Sequence, residues 1–267
     1  MIACDCDVPK PILEFQSSNY VFEGKVISKT YSSDSLYYTV TFEIFKHYKE
    51  GETPKNLKFT FKSESEFIGE WTSCDWSVEK DETWLVYAKN RNEKLTFGYF
   101  CSNSKPIGKK EIPIRERKIL DQANQFDINN YIFTSIDGHF TNSKPKIELD
   151  SLLERYSHKQ YGKSYSENRV DIVVDIDENG NLLAANLTSK EHFKIEFSEA
   201  SDSIYNLDKP KNIKISKPET EFEKDMLEVS SKLRKWDITY LAQTETPVRI
   251  RKFLQFYKKS NDIEVYF

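Results

Sequence analysis

A chain of 267 residues is longer than most single cores and fits two domains of ordinary size, about 100 to 150 residues each. Its 39 basic and 43 acidic residues leave a net charge of -4, which gives no electrostatic reason to expect nucleic acid as a partner. A hydrophobic share of 38% argues against a disordered chain, and runs such as Trp84 to Ala88 fall far short of the ~20 apolar residues that span a bilayer.

From Tyr20 to Phe61 apolar and polar residues alternate, first over Tyr20 to Ile27, then over Tyr37 to Phe45, then over Leu57 to Phe61. This period of two predicts antiparallel strands, and Thr83 to Ala88 and Leu95 to Tyr99 continue the series. Five short strands with no long helix among them make a small barrel or sandwich. Ile112 to Phe126 lacks glycine and proline apart from Pro113 and is predicted to be a helix closing this first domain, residues 1–136. The polar stretch from Asp137 to Lys146, with Gly138 and Pro145, is the linker candidate.

The second domain is expected over residues 147–267. Leu149, Leu152, Leu153 and Tyr156 recur at helical spacing, predicting a helix from about Ile147 to Gln160. Val170 to Ile176 and Leu182 to Leu187 flank Asp177-Glu178-Asn179-Gly180-Asn181, and the Asn-Gly pair suits the positive φ angles of a tight hairpin turn. Ser189 to Pro218 shows no clear pattern. Phe222, Met226, Val229 and Leu233 share one face of a helix predicted from Glu219 to Trp236, with Trp236 in the core, and Pro247 to Phe256 reads as a last strand. Helix, strand, strand, helix, strand is an α+β order.

The four cysteines, Cys4, Cys6, Cys74 and Cys101, are even in number and confined to the first domain, which points to a disulfide framework and an oxidising compartment. The expected location is secreted, periplasmic or cell-envelope, with any export signal removed ahead of Met1. Structural zinc is the poorer reading, because the Cys-x-x-Cys spacing is missing. Lipid on Cys4, suggested by Ile2-Ala3-Cys4, would leave one of the other cysteines unpaired. Four cysteines allow three connectivities, and spacing alone leaves the pairing open.

Cys4-Asp5-Cys6, the strand Val21-Phe22-Glu23-Gly24-Lys25-Val26, the strand Leu85-Val86-Tyr87-Ala88 and Cys101 after a strand resemble the netrin-like domain of the tissue inhibitors of metalloproteinases. The resemblance implies an all-β, oligonucleotide-binding-fold (OB-like) barrel with disulfides Cys4–Cys74 and Cys6–Cys101. Either loop would stabilise the fold by about 4 kcal/mol. It further implies a partner-binding ridge of Cys4, Asp5, Cys6, Asp7 and Val8 beside Glu70, Trp71, Thr72 and Ser73. In that family the amine of the first cysteine chelates a protease zinc. Here Met1 to Ala3 precede Cys4, and Asp5 puts a carboxylate where the family has a small side chain, so protease inhibition is the alternative expectation.

The second half resembles the C-terminal domain of TonB-type energy transducers in its strand, Asp177 to Asn181 turn, strand, helix ending at Trp236 and Thr246-Pro247-Val248 strand opening. Thr246 replaces a usual glycine, and 189–218 is longer than that family's connection. What the resemblance implies is a small α+β domain with edge strands that bind a partner peptide or pair between chains in a homodimer.

No His-Glu-x-x-His, Gly-x-Ser-x-Gly, Walker loop or Gly-x-Gly-x-x-Gly is present. His47, His139, His158 and His192 are dispersed, and Asp175 and Asp177 read as turn formers. Trp71, Trp76 and Trp84 could stack bases, which export and negative charge disfavour. The sequence therefore predicts an exported, non-catalytic protein-interaction module with no catalytic residue, metal or cofactor, no transmembrane span and no nucleic-acid ligand. Its expected partner is an envelope protein or a metalloprotease.

Overall fold

The computed structural model describes residues 6–49, 51, 53–69, 74–108, 111–147, 149–157, 165–188, 203–209, 217–259 and 262–267. They are mostly strand, with few helices. They divide into two compact units, 1–126 and 127–267. No helix among the described residues is long and apolar enough to cross a membrane.

The first unit opens with a short helix, α1 (Pro11–Ser17), which the sequence pattern did not predict. Proline fits its first turn because the N–H it lacks would have no partner there, and Ile12, Leu13 and Phe15 are buried. The strands follow as β1 (Tyr20–Tyr31), β2 (Tyr37–His47), β3 (Asn56–Lys62), β4 (Thr83–Arg91), β5 (Lys94–Thr96) and β6 (Lys105–Pro106), with a one-turn helix α2 (Ser65–Ile68) after β3. They form one antiparallel sheet in the order β3-β2-β1-β4-β5, with β6 beside β4. Tyr38, Val40, Phe42 and Ile44 of β2 are buried while Tyr37, Glu43 and Phe45 face out, as a half-buried strand requires.

The barrel implied by the family resemblance is not closed. Register shifts at Glu23/Gly24 and Val26/Ser28 bend β1 and curl the sheet into a half-barrel. Gly24 sits at the first, where a Cβ would stand 3.0 Å from the Glu43 carbonyl oxygen. Among the described residues no ladder joins the edge strands β3 and β5. Side chains bridge the gap instead: Phe97, just past β5, packs edge-on against Phe59 at 4.9 Å and Phe61 at 5.2 Å. The predicted closing helix is present as α3 (Ile114–Gln122), continued by a 3-10 turn (Ala123–Gln125), and it packs against α1.

In the second unit, 137–146 is packed rather than a linker. Asp137 is buried and accepts hydrogen bonds from the Thr134 N–H at 2.6 Å and hydroxyl at 2.9 Å. Phe140 bridges to Leu241 and Pro145 to Trp236, and Ser143 is wholly buried. Its polar side chains His139, Thr141, Asn142, Lys144 and Lys146 are exposed, but its main chain is tied down, with the N–H groups of Thr141 and Lys146 donating to the Tyr240 and Lys235 carbonyls at 2.9 and 2.8 Å. The unit boundary accordingly falls at residue 126, not within 137–146.

The next helix, α4 (Leu149–Leu153), and its 3-10 continuation (Glu154–Tyr156) are shorter than predicted; 158–160 of the prediction lie outside the described residues. Strands β7 (Arg169–Ile176) and β8 (Leu182–Leu187) form the predicted hairpin. Its turn differs from the Asn-Gly expectation, since Gly180 takes a positive φ of 74° and Asn179 does not. Asp177 organises the loop by accepting from the N–H of Asn179 at 2.9 Å and of Asn181 at 2.7 Å.

Helix α5 (Glu221–Lys232) starts in a reciprocal cap between Thr220 and Glu223 and lays buried Phe222, Met226 and Val229 toward β7 and β8. Trp236 lies in the core, its indole N–H donating to the Leu233 carbonyl at 2.7 Å. Strands β9 (Ile250–Lys258) and β10 (Ile263–Tyr266), the latter unpredicted, complete an antiparallel sheet ordered β10-β9-β7-β8. Within 189–218 only 203–209 and 217–218 are described, and there Leu207 is buried and Asp208 bridges to Ile132.

Candidate functional site

The predicted ridge lies partly within the described residues. Cys6 and Cys101 are joined in a disulfide, their Cα atoms 5.7 Å apart, and Cys74 is not a free thiol. Cys4, Asp5, Glu70, Trp71, Thr72 and Ser73 lie outside the described residues, and with them the Cys4–Cys74 pairing. Asp7 and Val8 are exposed, Val8 by 47%. Next to the disulfide the buried carboxylate of Glu14, on α1, accepts from the Ser102 hydroxyl at 2.5 Å, the Asn103 N–H at 2.6 Å and the Asn103 side-chain amide at 2.7 Å. Covalent bond and carboxylate together hold the start of the chain to the 101–103 turn.

On the other flank the described residues are 64–69 and 74–79, and Lys29 clamps Glu64 from the first piece and Ser77 and Glu79 from the second to β1. The Lys29 ammonium donates to Glu64 Oε1 at 2.6 Å, to Glu79 Oε1 at 2.7 Å and to Ser77 Oγ at 2.8 Å, which uses all three of its hydrogens. It also lies 4.6 Å from the Tyr38 ring centre and 5.3 Å from that of Tyr31. Tyr31 donates to Glu64 at 3.1 Å. Burial alone would lower the Lys29 pKa, but the hydrogen bonds to Glu64 and Glu79 outweigh it and hold the pKa above its ordinary value. Burial likewise works against the Glu64 charge, yet the bonds from Lys29 and Ser77 keep its carboxyl below the usual range. Inside the segment the Ser65 N–H donates to Asp75 Oδ2 at 3.2 Å.

Held in this way, the segment walls a shallow cleft of about 190 Å³ lined by Tyr38, Phe61, Ile68, Cys74 and Trp76, with Lys62 and Asp75 among its polar residues. The rings run on from one to the next: Tyr38 to Phe61 at 5.5 Å, Phe61 to Trp76 at 5.2 Å, and Trp76 stacked on Tyr99 at 5.9 Å. On the neighbouring surface Phe67, half-exposed, meets Tyr31 at 5.0 Å. Ser63, also lining the cleft, is buried and its hydroxyl has no partner. Burial pushes the Tyr38 phenol up to about 12, so it stays a neutral donor. A cleft of this size has room for one apolar or aromatic side chain.

Trp76 and Trp84 are in this aromatic system, 5.9 Å apart, and not arrayed on an open face for stacking bases. Of the predicted histidines, His47 bonds to the Pro54 carbonyl at 3.1 Å and His139 is exposed, while His158 and His192 lie outside the described residues. Among the described residues no three His, Cys, Asp or Glu side chains gather as metal ligands. Sequence reasoning missed Lys29, Glu64, Ser77 and Glu79, whose only sign is a lysine set between Ile27 and Tyr31 near the end of an alternating strand. No protein-family model matches the chain, and no curated protein matches it.

Proposed function

We propose that the protein is an exported, non-catalytic interaction module of a bacterial cell envelope, and that its first unit grips a protein partner at the cleft beside Cys74. The observation that carries this reading is a preformed aromatic cleft whose wall is fixed by a nearly buried ion network instead of being left as a loose loop. Such an arrangement lowers the ordering cost of binding. The Cys6–Cys101 disulfide favours an oxidising compartment. The curled antiparallel sheet and that disulfide support a netrin-like, OB-like reading of the first unit. The order α4, β7, β8, α5, β9 supports a TonB-like reading of the second, where a homodimer would form along β8 or β10, the edges of its sheet.

The test is a photo-activated crosslinker placed at Phe67 in protein exported in its native host, with the same group at Ile114, 78% exposed, as control. A discrete adduct from Phe67 that is absent from Ile114 supports the reading. No adduct at Phe67, or the same products from both positions, overturns it.

A further inference from the structure

The second unit holds a larger cleft, about 580 Å³, between the 135–142 loop and the beginning of β9, with Thr239 and Phe267 completing its wall. Its volume is in the range of small-molecule sites. Phe140, Ile250, Phe253 and Phe267 supply an apolar body, and Ser135, Thr141 and Asn142 supply an exposed polar rim.

Its ionisable side chains are all basic. The lining contains Arg251, Lys252 and His139 and no Asp or Glu. Arg251 is already matched: its guanidinium makes a two-pronged contact with Asp175, at 2.8 and 3.1 Å, and stands 3.6 Å from Asp208. Lys252 is different. It comes from the same strand and is half-buried, yet among the described residues it makes no hydrogen bond or ion pair, and its ammonium lies 5.9 Å from the Phe267 ring centre. Burial without a counter-charge pulls its pKa below the ordinary lysine value. Thr239, 2% exposed, closes the wall with its hydroxyl buried and without a partner among the described residues. A half-buried cation without a counter-charge beside apolar walls is costly for the unit to keep, and a ligand anion in the cleft would satisfy it.

We propose that this cleft binds a small organic acid, an apolar aliphatic or aromatic body carrying one carboxylate, with Lys252 as its counter-ion and the Phe140–Phe253–Phe267 walls holding its body. The inference does not depend on the protein-binding reading of the first unit. Two matched series separate charge from greasiness: 3-phenylpropionate against 3-phenylpropanol, and octanoate against octanol and octylamine.

Each is titrated into the full-length, isotope-labelled protein and followed by amide chemical shifts. The expected result is saturable binding of both carboxylates, with shifts at 135–142, 250–253 and 267, and binding at least about tenfold weaker for the alcohols and the amine. Lys252→Met, which keeps the length of the side chain, should weaken the carboxylates about tenfold and leave the alcohols unchanged, and Lys252→Arg should restore part of the loss. Dispersed amide spectra of each variant confirm folding, and Phe267→Ala, at a half-exposed position, supplies a second variant expected to weaken acids and alcohols alike. The proposal is overturned by no saturation up to about 10 mM, by equal affinity for acid and alcohol, by shifts that map elsewhere, or by a Lys252→Met variant that binds octanoate unchanged.

Discussion

Replacing Lys29 with methionine tests the physical basis of the candidate site, because it removes the charge and keeps most of the packing. The Lys29 side chain is 8% exposed and that of Glu64 13%, so this pair approaches the buried case, in which removing one partner costs about 3 to 5 kcal/mol. Two features reduce the cost. Glu79 is 57% exposed and can turn its carboxylate to water, and Glu64 keeps the Ser77 and Tyr31 hydroxyls as donors. The expected loss is therefore about 2 kcal/mol for Lys29→Met, against about 0.5 kcal/mol for Glu79→Gln. Urea unfolding gives the total, and amide hydrogen exchange gives its location. Exchange should accelerate across 64–69 and 74–79 and along the end of β1, and stay unchanged in the β7–β8 hairpin. A Lys29→Met variant within about 0.5 kcal/mol of the parent, or one loosened evenly across the chain, would refute the claim that Lys29 clamps the cleft wall.

Three further outcomes follow from the same structure. Gly180→Ala should cost about 3 kcal/mol in urea unfolding, since φ is +74° and the new Cβ would meet the Trp236 carbonyl oxygen at 2.4 Å, straining the turn and the Trp236 N–H bond to the Gly180 carbonyl; a loss below about 1 kcal/mol would mean that the turn relaxes freely. Changing both Cys6 and Cys101 to serine removes a cross-link over a separation of 95 residues and should cost about 4 to 5 kcal/mol, with hydrogen exchange rising around α1 and 101–106; equal loosening of the second unit would count against its independence. The clamp should also respond to pH at both ends. Glu64 and Glu79 have lowered folded pKa values, so their contribution is full above their ordinary 4.5 and is lost as pH falls through the folded values. Lys29 has a raised value, so its contribution is full below 10.5 and is lost only as pH climbs past that. Exchange in 74–79 that is flat from pH 7 down to 2 would sink this assignment.

How much of this was legible depended on whether the signal was periodic. In β2 the alternation of Tyr38, Val40, Phe42 and Ile44 with outward-facing neighbours reports burial directly, and in α5 the spacing of Phe222, Met226 and Val229 does the same. The β7–β8 hairpin was readable because its turn carries a glycine, Gly180, which takes the positive φ there at no steric cost from its own side chain. Elements without a period were missed: α1 has only seven residues, and β10 only four. Residues 137–146 were misread for a different reason. Polar composition is shared by a solvated linker and by a surface segment whose main chain is paired, and only long-range bonds such as those of the Thr141 and Lys146 N–H groups to the Tyr240 and Lys235 carbonyls tell the two apart. Closure of the first sheet is a long-range property of this kind, decided by whether β3 and β5 meet in register.

The candidate sites show the same limit in electrostatic form. Lys29 and Lys252 are both lysines on strands, and nothing in their neighbours along the chain separates them. Lys29 meets two carboxylates from 35 and 50 residues away, which raise its pKa and turn it into a structural clamp. Lys252 has no carboxylate partner among the described residues, so burial lowers its pKa unopposed and leaves a charge for a ligand to satisfy. A tally of 39 basic and 43 acidic residues fixes the net charge and says nothing about which cation lacks a partner. That pairing is settled only when the curl of one sheet brings Glu64 and Glu79 onto β1, while in the other the start of β9 is set against the 135–142 loop, whose one acid, Asp137, bonds to Thr134. The cysteines were conspicuous because their chemistry is rare in the sequence, whereas the lysines acquire theirs from the fold.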